Sequence, residues 1–348
     1  MLVYEFASGG GLAGREVPVS LVREGAAMRA ALVADLAATR CHEIVTTTDA
    51  RLHHSLGRGV DVVTLPDGDR ARDAAIDDAI ACVDAVWLIA PESDGCLERL
   101  AARVERQGKM LLGCCADAIR CASDKARLPQ RLAAASVRHP HTRAIGRGDE
   151  SAPVARDIGY PIVVKPSRGA GSDGVSLVRH ARELPRAVAA ALRVNRGPVL
   201  IQEYVPGTAA SVSLVADGCR AVPLSLNAQH IGSRPMFEYR GGETPFEHPL
   251  AVCAIEAALD ACRTLSGLRG YIGVDLVLAE SAVYVIEVNP RLTTAYLGLR
   301  AAFEHNIAEL ALRACEGELP AAPLHARRPV RFTSSGRVEC LREYAASS

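Results

Sequence analysis

Tyr284-Val-Ile-Glu287-Val-Asn289-Pro-Arg291 decides how the rest of the chain is read. An apolar strand here carries a carboxylate, a carboxamide and a guanidinium at every second position, so period-two alternation places Glu287, Asn289 and Arg291 on one face. Upstream, Tyr271-Ile-Gly-Val-Asp275-Leu-Val-Leu reads as a partner strand, with Ala279-Glu-Ser281 as the turn between them. A hairpin symmetric about Glu280 puts Val285 opposite Asp275 and makes Glu287 its diagonal neighbour, roughly 7 to 8 Å away. Asp275, Glu287 and the Asn289 amide oxygen then converge. Three oxygen donors, with water or phosphate completing an octahedron, suit Mg2+, which prefers oxygens at about 2.0 to 2.1 Å. Ordinary polar alternation on an exposed strand is the plainer alternative.

The lysines carry a second signal. Of 40 basic residues only Lys109, Lys125 and Lys165 are lysines, and in so Arg-rich a chain a retained lysine suggests a place for a compact ammonium, as a phosphate oxygen often requires. Lys165 ends the strand Pro161-Ile-Val-Val-Lys and leads into the glycine-rich Gly169-Ala-Gly171-Ser172-Asp-Gly174. A second strand follows that loop, so its backbone amides, Gly171 and Ser172 foremost, can close over phosphates as a glycine hairpin. Lys125 follows Ser123-Asp124, a plausible N-cap, at the head of an Ala/Leu/Arg-rich helical stretch.

Composition narrows the function classes. The 348 residues suffice for two or three domains with a sizeable core, and 49% hydrophobic content fits a soluble globular protein. Zero formal net charge offers no global field for nucleic acid or anionic lipid, and 4% aromatics leaves few base-stacking platforms. Eleven cysteines, odd in number and without a C-x-x-C pair, together with an N-terminus opening on the strand-like Leu2 to Ala7, point to a reducing cytoplasm. No apolar run reaches the roughly 18 residues of a membrane span.

Residues 1–112 alternate strand and helix with short connections, the pattern of a doubly wound parallel sheet. In such sheets ligands gather at the carboxyl ends of strands, which makes the loops after Ala7 and Ala90 candidate site walls. Residues 113–205 read as a helical pair followed by strands near 161–166, 174–179 and 198–204, with a helix between the last two. In 206–348 strands dominate until two closing helices, near 294–304 and 306–316, and the tail after about Arg337 reads as unstructured. Gly9-Gly-Gly11-Leu-Ala-Gly14 spells the dinucleotide fingerprint, but its helix cannot easily begin before Pro18, and no strand ends in an acid about 20 residues on. A nicotinamide oxidoreductase built on that loop is the rival reading. Walker A, H-E-x-x-H and G-x-S-x-G motifs are absent from the sequence.

The order Lys125, Lys165 with its glycine loop, Ile201-Gln202-Glu203-Tyr204-Val205-Pro-Gly207, Asp275, then Glu287-Val-Asn289-Pro-Arg291 resembles the ATP-grasp superfamily over residues 115–295. The resemblance implies an α/β protein (α+β overall) in which a preceding α/β domain, 1–112, is joined to a small lobe, 113–205, and a large lobe, 206–348. It implies ATP held by Lys125, Lys165, Gly171, Ser172 and the adenine-reading segment Gln202 to Val205. Mg2+, or Mn2+ in its place, falls to Asp275, Glu287 and Asn289, with Lys165 and Arg291 as catalytic groups. Two positions depart from the pattern: Ala209 stands where many members carry a ribose-binding Glu, and Gly273 where several ligases carry an Arg. Val3-Tyr-Glu-Phe with Gly9-Gly-Gly11, Ile89-Ala-Pro-Glu92, Ala210-Ser-Val-Ser213, Leu226-Asn227-Ala-Gln229 and Gly241-Gly-Glu243-Thr-Pro245 are similar to the tyramine–glutamate ligases of methanofuran biosynthesis. That likeness implies an amino acid and an amine as small-molecule partners, with a homodimer as one assembly it allows. A carboxylating or kinase-like member of the same fold is a further alternative. Asn227, Gln229, Arg240, Glu243 and Thr244, read as loop residues, are the candidates to shape the substrate pockets.

Overall fold

The computed structural model describes residues 1–16, 19–52, 59–169, 173–194, 197–232, 237–321 and 324–341. The chain opens with β1 (Leu2–Glu5), α1 (Val19–Thr39), β2 (Ile44–Asp49), β3 (Val60–Leu65), α2 (Asp69–Ala81), β4 (Ala85–Ile89), α3 (Cys96–Arg106) and β5 (Met110–Leu111). These five strands form a parallel sheet in the order β3-β2-β1-β4-β5. Its two faces are covered separately. Leu32, Val33 and Leu36 of α1 pack on one side, while Ile76 and Ile80 of α2 and Leu97, Leu100 and Val104 of α3 pack on the other. In α3 the buried residues recur at helical spacing, leaving Arg103 and Arg106 on the outer side. Strand order reverses between β1 and β4, so the loops leaving these two strands flank the switch point where open α/β sheets build sites.

Next come α4 (Ala116–Ala122), α5 (Leu128–Ala134), β6 (Thr142–Ile145), α6 (Ser151–Ile158), β7 (Ile162–Pro166), β8 (Ser176–Val178), α7 (Leu184–Val194) and β9 (Val199–Glu203). The strands make an antiparallel sheet ordered β6-β9-β7-β8. Ile162, Val164, Val199 and Ile201 point to α6 and α7, which leaves Lys165 and Gln202 on the face turned away from these helices. Sequence periodicity passes over β6 and α6, since only Ile145 of β6 and Ala155 of α6 are fully buried and neither carries a strong apolar pattern.

The remainder holds β10 (Thr208–Asp217), β11 (Ala221–Gly232), β12 (Glu238–Thr244), α8 (Ala251–Arg263), β13 (Arg269–Leu278), β14 (Val283–Asn289), α9 (Ala295–Ala302), α10 (Ile307–Cys315), β15 (Val330–Thr333) and β16 (Val338–Cys340). Seven antiparallel strands run β14-β13-β10-β11-β12-β15-β16. Alanines 254, 258 and 261 let α8 lie close on Val212, Val274 and Leu276, and α9 and α10 cover part of the opposite face together with α1. The tail after Arg337 differs from the sequence reading: β16 pairs with β15 through Val338 to Cys340. All three of its residues are exposed, so no hydrophobic alternation marks it in the sequence.

Candidate active site

The β13–β14 hairpin differs from the symmetric one expected. Ala279 N–H donates to Ala282 O at 2.9 Å, closing a turn on Glu280 and Ser281. Leu278 therefore pairs with Val283 and Leu276 with Val285. The register then shifts by one residue, leaving Ile286 as a β-bulge and bringing Glu287 directly opposite Asp275. The bulge also resolves a conflict of faces. Val283, Val285 and Val288 all lie in the α8 core, which strict alternation forbids and one extra residue permits. Asp275, Glu287 and Asn289 share the other face, and Asn289 stands opposite Gly273.

Asp275 is tightly held. Its Oδ1 accepts from Gln229 Nε2 at 2.8 Å and its Oδ2 from Asn289 Nδ2 at 3.1 Å. Burial, and then the Glu287 charge, push its carboxyl up despite those donors. Glu287 moves the other way: burial would raise it, but the Lys125 and Lys165 ammoniums outweigh burial and hold it ionised. Lys125 Nζ pairs with Glu287 Oε2 at 2.5 Å. It lies in the turn before α5, where Asp124 Oδ1 accepts from Ala126 N and Arg127 N at 3.1 and 3.2 Å; Asp124 thus closes that turn, while the N-cap of α5 itself is Arg127, without a side-chain cap. Lys165 is buried on the face of β7 turned away from α6 and α7, and burial followed by repulsion from Lys125 lowers it to about 8, against the pull of Glu287 and Asp275.

Two carboxylates on adjacent strands, with a carboxamide whose nitrogen is committed to Asp275 and whose oxygen is the acceptor end, fit a hard divalent cation. Among the described residues no three His, Cys, Asp or Glu gather as a metal cluster; the third oxygen beside the Asp275–Glu287 pair is the carboxamide oxygen of Asn289. The facing lysines fit a polyphosphate.

Arg291 meets a partner that sequence reasoning did not assign. Its Nε donates to Glu92 Oε1 at 2.7 Å, and its Nη1 to Leu292 O at 3.1 Å. Glu92 sits in the loop after β4, one of the two loops at the switch point, and both side chains are largely buried. The other switch-point loop explains its own glycines. A Cβ on Gly9 would lie 2.0 Å from Glu5 O, and one on Gly11 would strike Phe6 and the Tyr4 hydroxyl. Internal packing of the loop thus accounts for these two glycines of the dinucleotide-like motif without any pyrophosphate.

Other anticipated residues are dispersed. Gly171 and Ser172 lie outside the described residues. Gln202 Nε2 donates to Thr142 Oγ1 at 2.7 Å, and Glu203 Oε2 accepts from His141 N at 3.1 Å, so both side chains brace β6. Tyr204 and Val205 lie half-buried in the link from β9 to β10. The five substrate candidates are strand residues of β11 and β12 instead of loop tips, because the glycines and proline that suggested loops sit within and after the ladder. Gln229 reaches the Asp275 carboxylate directly. Asn227 is fully buried, its Nδ2 donating to Ser211 O at 3.1 Å and contacting Ser213 Oγ at 3.0 Å. Thr244 Oγ1 lies 2.9 Å from Ser225 Oγ in the interior, Glu243 accepts from Arg331 Nη2 at 2.7 Å, and Arg240 pairs with Glu238 on the surface. Beside Asp275, Ser213, Tyr271 and Thr293 form a hydroxyl chain with contacts of 2.8 and 3.1 Å. Serine alternation in Ala210-Ser-Val-Ser213 was its available signal.

A lysine pair facing two strand carboxylates across sheets of this topology defines a class. The ATP-grasp domain family matches residues 122–295, and a pre-ATP-grasp domain family matches residues 42–119. The chain belongs to the ATP-grasp family, among its carboxylate–amine ligases. It is 30% identical over 236 residues to the tyramine–L-glutamate ligase of Methanocaldococcus fervens, covering 68% of this chain and 67% of that one. The Methanocaldococcus jannaschii tyramine–L-glutamate ligase is 39% identical over 119 residues, 34% of this chain and 37% of the relative. An ATP-grasp superfamily protein of Archaeoglobus fulgidus superimposes with a TM-score of 0.69 at 25% identity, covering 95% of this chain and 91% of that one. An L-amino acid ligase from Bacillus licheniformis shares the fold at a TM-score of 0.68 and 16% identity, covering 95% and 78%. Among the described residues no helix is long and apolar enough to cross a membrane.

Proposed function

We propose that the protein is an ADP-forming ligase that joins an amino acid, glutamate, to an amine, tyramine, in the biosynthesis of a one-carbon carrier cofactor. The observation that carries the reading is the Asp275–Glu287 pair, opposed across two strands and facing Lys125 and Lys165; the two tyramine–L-glutamate ligases supply the choice of substrates. At neutral pH a carboxylate is a poor electrophile. A carboxylate oxygen of the amino acid attacks the γ-phosphorus of ATP, ADP departs, and an acyl phosphate results. The amine nitrogen then attacks the acyl carbon and inorganic phosphate leaves with the C–O electron pair, while the nitrogen gives up its proton.

Lys125 and Lys165 grip the phosphates, and Arg291 stabilises negative charge gathering on the transferred oxygens. Asp275, Glu287 and Asn289 would hold Mg2+, which supplies Lewis-acid stabilisation of the phosphoryl oxygens when bound. Gln202 to Val205 would read the adenine, and Gly171 and Ser172 would belong to the loop that covers the phosphates. Gln229, Asn227 and the Ser213–Tyr271–Thr293 chain line the sheet face on which the amino acid would rest. The division into 1–112, 113–205 and 206–348 is part of this reading, supported by one sheet falling within each.

ADP release with Mg-ATP, L-glutamate and tyramine, together with mass detection of the amide, tests the proposal. ADP release that needs both substrates supports it. Release driven by bicarbonate without an amine would favour a carboxylating member instead.

A further inference from the structure

Arg291 stands two residues beyond Asn289, and besides Glu92 its guanidinium feels the charges of Glu24 and Glu287. A guanidinium free to choose would turn toward Glu287, since planar N–H donors and a carboxylate make strong paired hydrogen bonds. In that position it would occupy the oxygens that a divalent cation needs. The structure shows a different arrangement: Arg291 Nε is held by Glu92 Oε1 at 2.7 Å, from a loop 199 residues away in sequence. Glu92 is 6% exposed, and its Oε2 is buried without a hydrogen-bond partner among the described residues. A carboxylate kept there with one idle oxygen is costly as packing alone. Its charge balances Arg291. Three cations, Lys125, Lys165 and Arg291, thereby stand among four acidic side chains, Asp275, Glu287, Glu92 and, on the Arg291 side, Glu24.

We propose that Glu92 is a positioning residue that keeps the Arg291 guanidinium on the N-terminal side of the cleft, leaving Asp275, Glu287 and Asn289 open to a divalent cation. This rests on the reading of those three residues as the cation site. The N-terminal sheet then acts as a working wall of the active site, through a contact made at its switch point.

The test is cation binding, read apart from turnover. Mn2+ is titrated into the full chain at saturating ADP, with free Mn2+ followed by electron paramagnetic resonance. Glu92→Gln should weaken Mn2+ binding by about tenfold, because the released guanidinium competes for Glu287. Glu92→Asp, which keeps the charge, should recover most of the affinity. Arg291→Gln alone should bind Mn2+ at least as tightly as the wild type, and adding Glu92→Gln to it should change binding by less than about twofold. The double variant leaves no unpaired charge, so its comparison with Arg291→Gln stands even if Glu92→Gln alone fails to fold. Equal weakening by Glu92→Gln with and without Arg291 would overturn the proposal, since Glu92 would then act through its own field. Wild-type binding by Glu92→Gln would overturn it as well. A wild-type chain that takes up no Mn2+ would instead remove the cation site itself, and this inference with it.

Discussion

Replacing Glu287 by Gln keeps the side-chain volume and removes one charge. In the folded protein that charge lies 2.5 Å from Lys125 Nζ, with the two side chains 17% and 12% exposed. At an effective dielectric of about 20, unit charges at this distance attract by roughly 6 to 7 kcal/mol, most of which offsets the cost of taking both from water. Breaking such a pair from one side typically costs about 3 to 5 kcal/mol. The Gln oxygen still accepts a hydrogen bond from Lys125, so about 2 to 3 kcal/mol is expected in denaturant unfolding. The catalytic loss should be larger in relative terms. With a charged oxygen donor missing, Mg-dependent ADP release should fall by about 10^2 to 10^3, the scale of a lost electrostatic stabiliser. Raising Mg2+ should recover part of it. A steady-state assay across Mg2+ concentrations, beside the unfolding curve, separates the two effects. Wild-type turnover at limiting Mg2+ in a folded Glu287→Gln protein would refute the reasoning.

Lys165 supplies a pH dependence. Burial and Lys125 lower it to about 8 before nucleotide arrives, whereas bound phosphates favour its ammonium. Binding therefore raises its pKa, and ATP affinity should be full below pH 8 and fall above it, by up to about tenfold per pH unit; Lys165→Arg should flatten the profile measured by calorimetry. Gln229→Ala removes a donor that holds the Asp275 carboxyl down, so Mg-dependent ADP release should drop about tenfold near neutral pH and recover as the pH rises. A loss equal at every pH would count against that account. Gly273→Ala would place a Cβ 2.6 Å from Thr293 Cγ2 and should cost about 1 to 3 kcal/mol in stability. Adding Thr293→Ser, which deletes that methyl and keeps the hydroxyl, should restore most of it in chemical denaturation.

The alternating strands and helices of residues 1–112 were legible because short apolar runs such as β4, buried on both faces, alternate with helices that bury one face, and Asp275, Glu287 and Asn289 because polar groups interrupt an otherwise apolar hairpin. Pairing within that hairpin was not legible. Its turn and its bulge are set by backbone hydrogen bonds and by which valines reach α8, and neither leaves a mark in composition. Glu92 was visible in a family-like stretch of a candidate site wall, but its role was not, since its partner lies 199 residues downstream and only tertiary folding joins them. The strand character of Asn227, Gln229, Glu243 and Thr244 was hidden by glycines placed inside a ladder, where Gly242 lies against Ala228 O.

The unpaired Ile286 makes this hairpin unusually tolerant of one deletion and intolerant of its neighbours'. Excising Ile286 closes the ladder while leaving Val285 across from Leu276 and Glu287 across from Asp275. Excising Val288 instead would swing Asn289 into the alanine-lined side beneath α8. A chain shortened by a single codon at 286 should therefore still bind nucleotide and cation, whereas the same loss two positions later should abolish both.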